Sequence, residues 1–344
     1  MGDSFRQEKP ARKFRKKSQV LQPIEELITG VKSGNRRDLA KAITLIESNS
    51  QEHFQHGQAL LKELTPYTGN SIRVGITGVP GAGKSTFIET FGESLCRDGY
   101  KVAVLAVDPS STVTGGSILG DKTRMENLSR NQNAFVRPSP SGGVLGGVHR
   151  KTRETMLLCE AAGYDIILVE TVGVGQSEVI VRGMVDFFML LVITGAGDEL
   201  QGMKKGIMEL ADLIVVNKAD GDNLPAARKT MREYNGILHF LQPATKGWET
   251  QALTCSALQG NGIQEIWNTV MRFEREAKES GVFEERRKSQ TKEWLHSMIS
   301  DRVLNSFFHH PDIKSRFPEI ESEVISGNKT ASQAVDILMD LFSK

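Results

Sequence analysis

The sequence predicts an α/β fold: a mostly parallel central sheet extended at both ends by helices. Three observations carry this. Short, near-continuous Val/Ile/Leu runs recur between helical stretches from residue 72 onward, the pattern of strands buried on both faces. The flanking stretches, 22–65 and everything past about 263, lack such runs and follow a helical period. The junction between the first run and the first long helix is rich in glycine, with Gly78, Gly81 and Gly83 in six positions.

Taken in order, residues 1–20 carry seven Lys/Arg (Arg6, Lys9, Arg12, Lys13, Arg15, Lys16 and Lys17) against Asp3 and Glu8. No apolar stretch follows, so the segment is read as a solvated basic tail and not as a secretory signal. Residues 21–70 form a helical arm, with Leu39, Ile43 and Ile46 on one face and Leu60, Leu61 and Leu64 on another. The expected strands are 72–77, 102–107, 166–170, 187–193 and 213–217, with 252–255 as a further candidate. Past 263 the chain is helical and strongly charged. Trp294, Leu295, Met298, Val303, Leu304, Phe307 and Phe308 supply an apolar stripe there, fit either for packing back on the core or for an oligomer arm.

Composition excludes several classes. With 39% hydrophobic and 25% charged residues in 344, the chain reads as a soluble globular protein. A net charge of +1 sets up no global field for nucleic acid or an acidic membrane. The longest apolar run, 187–193, is far too short to span a bilayer. Cys96, Cys159 and Cys255 are isolated and odd in number, which favours a reducing, cytoplasmic setting over disulfides or a zinc site.

The chemistry lies in three motifs, each at the end of an expected strand. Gly78, Val79, Pro80, Gly81, Ala82, Gly83, Lys84, Ser85 and Thr86 match GxxxxGK[ST] in full. Glycines let backbone N–H groups approach phosphate oxygens, Lys84 neutralises the β- and γ-phosphates, and Ser85 places its hydroxyl on Mg²⁺. The fold is thereby narrowed to a P-loop NTPase. Asn217, Lys218, Ala219 and Asp220 form an NKxD element: a carboxylate accepts two hydrogen bonds from the N1–H and N2–H₂ edge of guanine, a donor pair that adenine lacks. Asn217 braces the loop and reaches towards the base, and the Lys218 stem lies across the ring. Ser256, Ala257 and Leu258 match a loop whose backbone N–H meets guanine O6. The three in order point to GTP and GDP.

Two strands end in carboxylates, Asp108 and Glu170, both at the sheet's carboxyl edge, where open α/β sheets bind ligands. They are candidates for Mg²⁺ or for a water beside the γ-phosphate, with Asp121 a third. Gly173 completes an ExxG element, in which Glu replaces the Asp of ordinary regulatory GTPases. Val174 stands where those proteins carry a water-orienting Gln, and Gln176 follows two residues later as a substitute. From this we expect slow intrinsic hydrolysis completed by a partner. The glycine-rich stretches at 115–120 and 139–147 are expected to be switch or lid loops.

DPSSTVTGGSILGDKTRM, RPSPSGGVLGGV, AAGYDIILVETVGVGQSE, GAGDELQGMKKG and VVNKADGDN, in this order, make the chain resemble the MeaB/ArgK family of P-loop GTPases over roughly residues 35–300. The resemblance implies a GTPase domain at 71–280 and a helical dimerisation region at 281–344. It implies a homodimer whose GTP hydrolysis gates adenosylcobalamin loading and protects or reactivates methylmalonyl-CoA mutase, or a related cobalamin-dependent mutase. It places metal on Ser85, Asp108, Glu170 and Asp121, and catalysis is expected of Lys84, Glu170 and Gln176. The segment 195–205, with Lys204 and Lys205, corresponds to a region that answers to the mutase. Two alternatives stay open: a nickel-insertion metallochaperone, for which only His53 and His56 have suitable spacing, and an ATP-using kinase of transport proteins.

Overall fold

The computed structural model describes residues 22–48, 50–107, 125–138, 145–171, 177–195 and 205–343. At the amino end, α1 (Ile24–Lys32), α2 (Arg36–Glu47) and α3 (Gln51–Leu64) pack as a small bundle. Asn35 caps α2 by accepting from the N–H groups of Arg37 and Asp38. Leu39, Ile43, Ile46, Leu60 and Leu64 are all buried, as the helical period requires.

Seven parallel strands follow: β1 (Ile72–Gly78), β2 (Val102–Val107), β3 (Ala134–Arg137), β4 (Ile166–Thr171), β5 (Phe187–Val192), β6 (Leu213–Val216) and β7 (Gln251–Thr254). They lie in the order β3-β2-β4-β1-β5-β6-β7, with β1 paired to β4 and β5. Six match the runs expected from the sequence. The seventh, β3, pairs with β2 at the end of the sheet and was not among the runs expected from the sequence.

Every residue of β2, β4, β5 and β6 is buried, because helices cover both faces. One face packs on α4 (Lys84–Arg97), α9 (Leu224–Leu238) and α10 (Ile263–Glu279), through Phe87, Phe91, Tyr234, Trp267 and Phe273. The other packs on the amino-terminal bundle, α6 (Leu145–Ala161) and α7 (Ser177–Arg182). The short helices α5 (Glu126–Arg130) and α8 (Lys205–Met208) lead into β3 and β6.

The chain ends in α11 (Val282–Phe308), α12 (Pro311–Ile325) and α13 (Ala331–Phe342). The last two enclose a separate small core of Ile313, Ile320, Ala334 and Leu338. Helix α11 is moored to the sheet at its beginning, and at its far end Phe307 packs on that small core. Arg287 makes two hydrogen bonds to Asp186, at 2.8 and 2.7 Å, and donates to the carbonyls of Gly69 and Ser71, both at 2.6 Å. Arg286 reaches Asp212 at 3.7 Å, and Gln290 donates to the carbonyl of Val185 at 2.8 Å. Asp186 and Asp212 directly precede β5 and β6, so this mooring is at the amino edge of the sheet. Farther along α11, Leu295, Ile299, Val303, Leu304 and Phe308 are exposed; the stripe does not pack back on the core.

Candidate functional site

At the opposite, carboxyl edge, β1 runs into the Gly-rich loop. A Cβ on Gly78 would come within 2.3 Å of the carbonyl oxygen of Leu191, so only glycine fits between β1 and β5. Gly81 and Gly83 have φ of 79° and 84°, the left-handed region that lets the loop curl back before α4 begins. Phe87, Ile88 and Phe91 anchor α4 in the core, which holds its first turn against the loop. The Lys84 ammonium is curled into the loop, donating to the carbonyl of Gly78 at 2.8 Å and more weakly to that of Val79 at 3.4 Å. Burial pulls its pKa below the ordinary lysine value, while the charges of Glu170 and Glu178 work against that shift. Pro80, Gly81 and Thr86 are exposed at the loop's rim.

Glu170, on the adjacent strand β4, is buried and accepts from the Ser85 hydroxyl at 3.3 Å. Two hard oxygen donors thus meet at the head of α4, a donor set suited to Mg²⁺. Behind them Thr171 donates to the Thr77 hydroxyl at 2.8 Å, locking β4 to β1.

Past β6, Asn217 is buried and fully engaged. Its Nδ2 donates to the carbonyl of Ala82 at 2.8 Å, and its Oδ1 accepts from the backbone N–H of Ala257 at 3.1 Å. One side chain therefore ties the Gly-rich loop to the 256–258 loop. A Cβ on Gly83 would lie 2.8 Å from that same Nδ2. Lys218 adopts a left-handed φ of 61° and is exposed, its carbonyl held by Asn223 at 2.7 Å. The Ser256 hydroxyl donates to Asp220 at 2.5 Å and orients the carboxylate. Ala257 is buried, its carbonyl accepting from Thr90 of α4 at 2.7 Å, whereas Leu258 is 81% exposed.

Thus Gly78 through Ser85, Glu170, Asn217, Asp220 and 256–258 lie at one sheet edge, linked by the contacts above. Asp108, Asp121, Gly173 and Gln176 lie outside the described residues, as do 115–120, 139–144 and 196–204. One residue without an assigned role emerges: Glu178, only 1% exposed in the first turn of α7, with its charge acting on Lys84. The signal was its i,i+3 spacing to Val181, which is also buried and marks the inward face of α7.

Nothing described here resembles a soft-metal site. Among the described residues no three His, Cys, Asp or Glu cluster as metal ligands. Burial pushes the thiols up, Cys96 to about 11 and Cys255 to about 12, with Cys159 also above the ordinary range. His53 lies beside Ser48 at 2.7 Å on α3. No helix among the described residues is long and apolar enough to cross a membrane.

Comparison with known proteins agrees with this geometry. The family model described as methylmalonyl Co-A mutase-associated GTPase MeaB matches residues 39–312. The chain is 52% identical to the GTPase ArgK of Escherichia coli over 289 residues, 84% of this chain and 87% of that one. It is 46% identical to the mitochondrial methylmalonic aciduria type A homolog of Mus musculus over 329 residues, covering 93% and 79%. A crystal structure of an LAO/AO transport system kinase superposes with a TM-score of 0.74 at 41% identity, covering 93% of this chain and 98% of that one. A parallel-sheet fold with a complete GxxxxGKS loop, matched across most of its length by these relatives, belongs to the MeaB family of GTPases.

Proposed function

We propose that the chain binds GTP and Mg²⁺ at the carboxyl edge of the sheet and hydrolyses GTP slowly. We further propose that it uses this cycle to gate adenosylcobalamin loading onto, and to protect, methylmalonyl-CoA mutase or a related cobalamin-dependent mutase. The observation that carries the nucleotide reading is Asn217, which couples the Gly-rich loop to the 256–258 loop through Ala82 and Ala257. Phosphate and base ends of one ligand are thus held in fixed register. Lys84 exchanges the carbonyls of Gly78 and Val79 for phosphate oxygens, and its partly desolvated ammonium suits that exchange. Asp220, oriented by Ser256, accepts from the guanine edge, and Lys218 covers the base. Ser85 and Glu170, with Asp108 and Asp121, are the residues to hold Mg²⁺, which when bound would neutralise charge on the β- and γ-phosphates. Glu170, with Gly173 and Gln176 after it, completes the side facing the γ-phosphate.

The mutase role rests on the family match and on the relatives' names. The homodimer and the cytoplasmic setting are proposals of the same kind; the exposed stripe of α11 supports the first and the three reduced cysteines the second. Kinase is the word attached to one solved relative. An Asp220 carboxylate facing the base favours guanine over adenine and speaks for GTP use instead. The test measures GTP turnover by purified protein with and without mutase, together with capture of mutase in the presence of GDP or a non-hydrolysable GTP analogue. We expect low turnover alone, stimulation by mutase, and capture that depends on the nucleotide. Turnover alone on the order of tens per second, as in a fast kinase, would refute the partner-completed reading, and absence of any mutase effect would refute the client.

A further inference from the structure

Between the two edges of the sheet runs α7, six residues long, starting directly after 172–176 and ending at the turn that enters β5. A helix of one and a half turns has no stability of its own, so its anchors set its position. Its inward face, Glu178 and Val181, packs on β1 and β4, with Val181 close enough that a Cβ on Gly75 would lie 3.0 Å from its Cγ1. Arg182 reaches Asp212 at 3.5 Å and Thr245 at 3.3 Å. The turn that follows is gripped by Arg153 of α6, which donates to the carbonyl of Gly183 at 2.6 Å and to the carbonyl of Gln290 in α11 at 3.2 Å. Its guanidinium also lies 5.8 Å from the Trp294 ring.

Arg153 is therefore the one side chain described here that joins α6, the end of α7 and α11 at a single point. Both hydrogen-bond acceptors are neutral carbonyls, so the half-buried cation gains no ion pair from them to offset its desolvation. Burial, and next the charge of Arg73, lower its pKa to about 10, and the charge of Glu293 opposes this; it remains a cation at neutral pH. A planar fork is the side chain that can hold two separate carbonyls at once.

We infer that Arg153 is a positioning residue for GTP hydrolysis: by fixing the carboxyl end of α7 against α6 and α11, it sets where the other end of α7, with Glu178, stands relative to Lys84. The inference rests on the GTPase reading above. Arg153 itself touches no nucleotide. Its loss leaves the Gly-rich loop, Asn217 and Asp220 in place, and releases only α7, whose Glu178 acts on Lys84. A displacement of about 1 Å in such a segment costs on the order of a hundredfold in rate.

The experiment uses the full-length chain and compares wild type with Arg153→Ala, Arg153→Lys and Gln290→Ala. Gln290→Ala removes the hydrogen bond to Val185 in the same turn. Each is measured for GDP affinity, single-turnover GTP hydrolysis and thermal melting. For Arg153→Ala we expect GDP affinity within about threefold of wild type and hydrolysis at least about tenfold slower. Arg153→Lys should regain melting temperature but not rate, because one ammonium cannot span both carbonyls. Gln290→Ala should show the same split in milder form. A folded Arg153→Ala protein with the wild-type rate, or one losing GDP affinity in parallel with rate, overturns the inference. Should Arg153→Ala not fold, the other two variants decide by the same criterion. A wild-type chain that binds no guanine nucleotide overturns the GTP reading and this inference with it. A wild-type chain that hydrolyses GTP alongside an equally fast Arg153→Ala variant overturns this inference alone.

Discussion

Asp220 shows how much one carboxylate can decide and how much it depends on its neighbours. Ser256 donates to one of its oxygens, and Ala219 is tied to Cys255 by a backbone hydrogen bond at 2.9 Å, so the carboxylate is set before any base arrives. In Asp220→Asn the Ser256 contact survives, because the amide oxygen still accepts. The new NH₂ group instead confronts the guanine N2–H₂ donor, and would favour a 2-oxo base. We expect GTP affinity to fall at least about a hundredfold while xanthosine triphosphate becomes the preferred ligand, read by competition against a fluorescent nucleotide. Unchanged GTP affinity would remove the base-recognition claim. The motifs behind these proposed roles were legible in the sequence because each is short and local. The brace by Asn217 was legible only in part: its motif was evident, but its bond to Ala82, 135 positions earlier, is a product of the fold.

Among the elements, strands and long helices follow hydrophobic period, and their places were readable. The exceptions have physical causes. β3, Ala134–Arg137, is half-exposed at its carboxyl end, where Val136 and Arg137 leave no continuous buried run. Helix α7 is held by contacts rather than by propensity, and the spacing of Glu178 and Val181 is a weak announcement of it. The start of α11 read only as part of a strongly charged helical stretch, yet Arg286 and Arg287 are drawn into the amino edge by Asp212 and Asp186, and Gln290 by the Val185 carbonyl. This mooring yields a stability prediction. Arg287→Ala would leave the Asp186 carboxylate, 1% exposed, with the backbone N–H of Arg73 at 2.8 Å but without its bidentate cation. Breaking a buried pair in this one-sided way costs about 3–5 kcal/mol. We expect a clearly lower denaturation midpoint in chemical unfolding with GDP affinity of the folded fraction unchanged. A shift under about 0.5 kcal/mol, the level of an ordinary surface change, would mean that α11 is not anchored there.

For the molecule as a whole, two edges of one sheet divide the work: the nucleotide motifs occupy the carboxyl edge and the carboxy-terminal helices are moored at the amino edge. The outer half of α11 then leaves Leu295, Ile299, Val303, Leu304 and Phe308 exposed, apolar side chains whose burial against another chain would be favourable. Taking that chain to be a second copy, Val303→Asp with Leu304→Asp should convert a dimer to a monomer in sedimentation, while GDP affinity stays within about threefold. A double variant that still sediments as a dimer would place the interface elsewhere. The sequence by itself determined six of the seven strands, the long helices, the phosphate and base motifs and the family. Those signals are local: a period of two or 3.6 residues, or a string of residues that must act within one loop. Only the tertiary structure decided that Asn217 joins two loops, that Glu178 is buried towards Lys84, that Arg153 holds the end of α7 and that the apolar stripe of α11 stays uncovered. Each of these depends on contacts between residues far apart in the chain, and no local pattern encodes which distant carbonyl or carboxylate the fold will bring within reach.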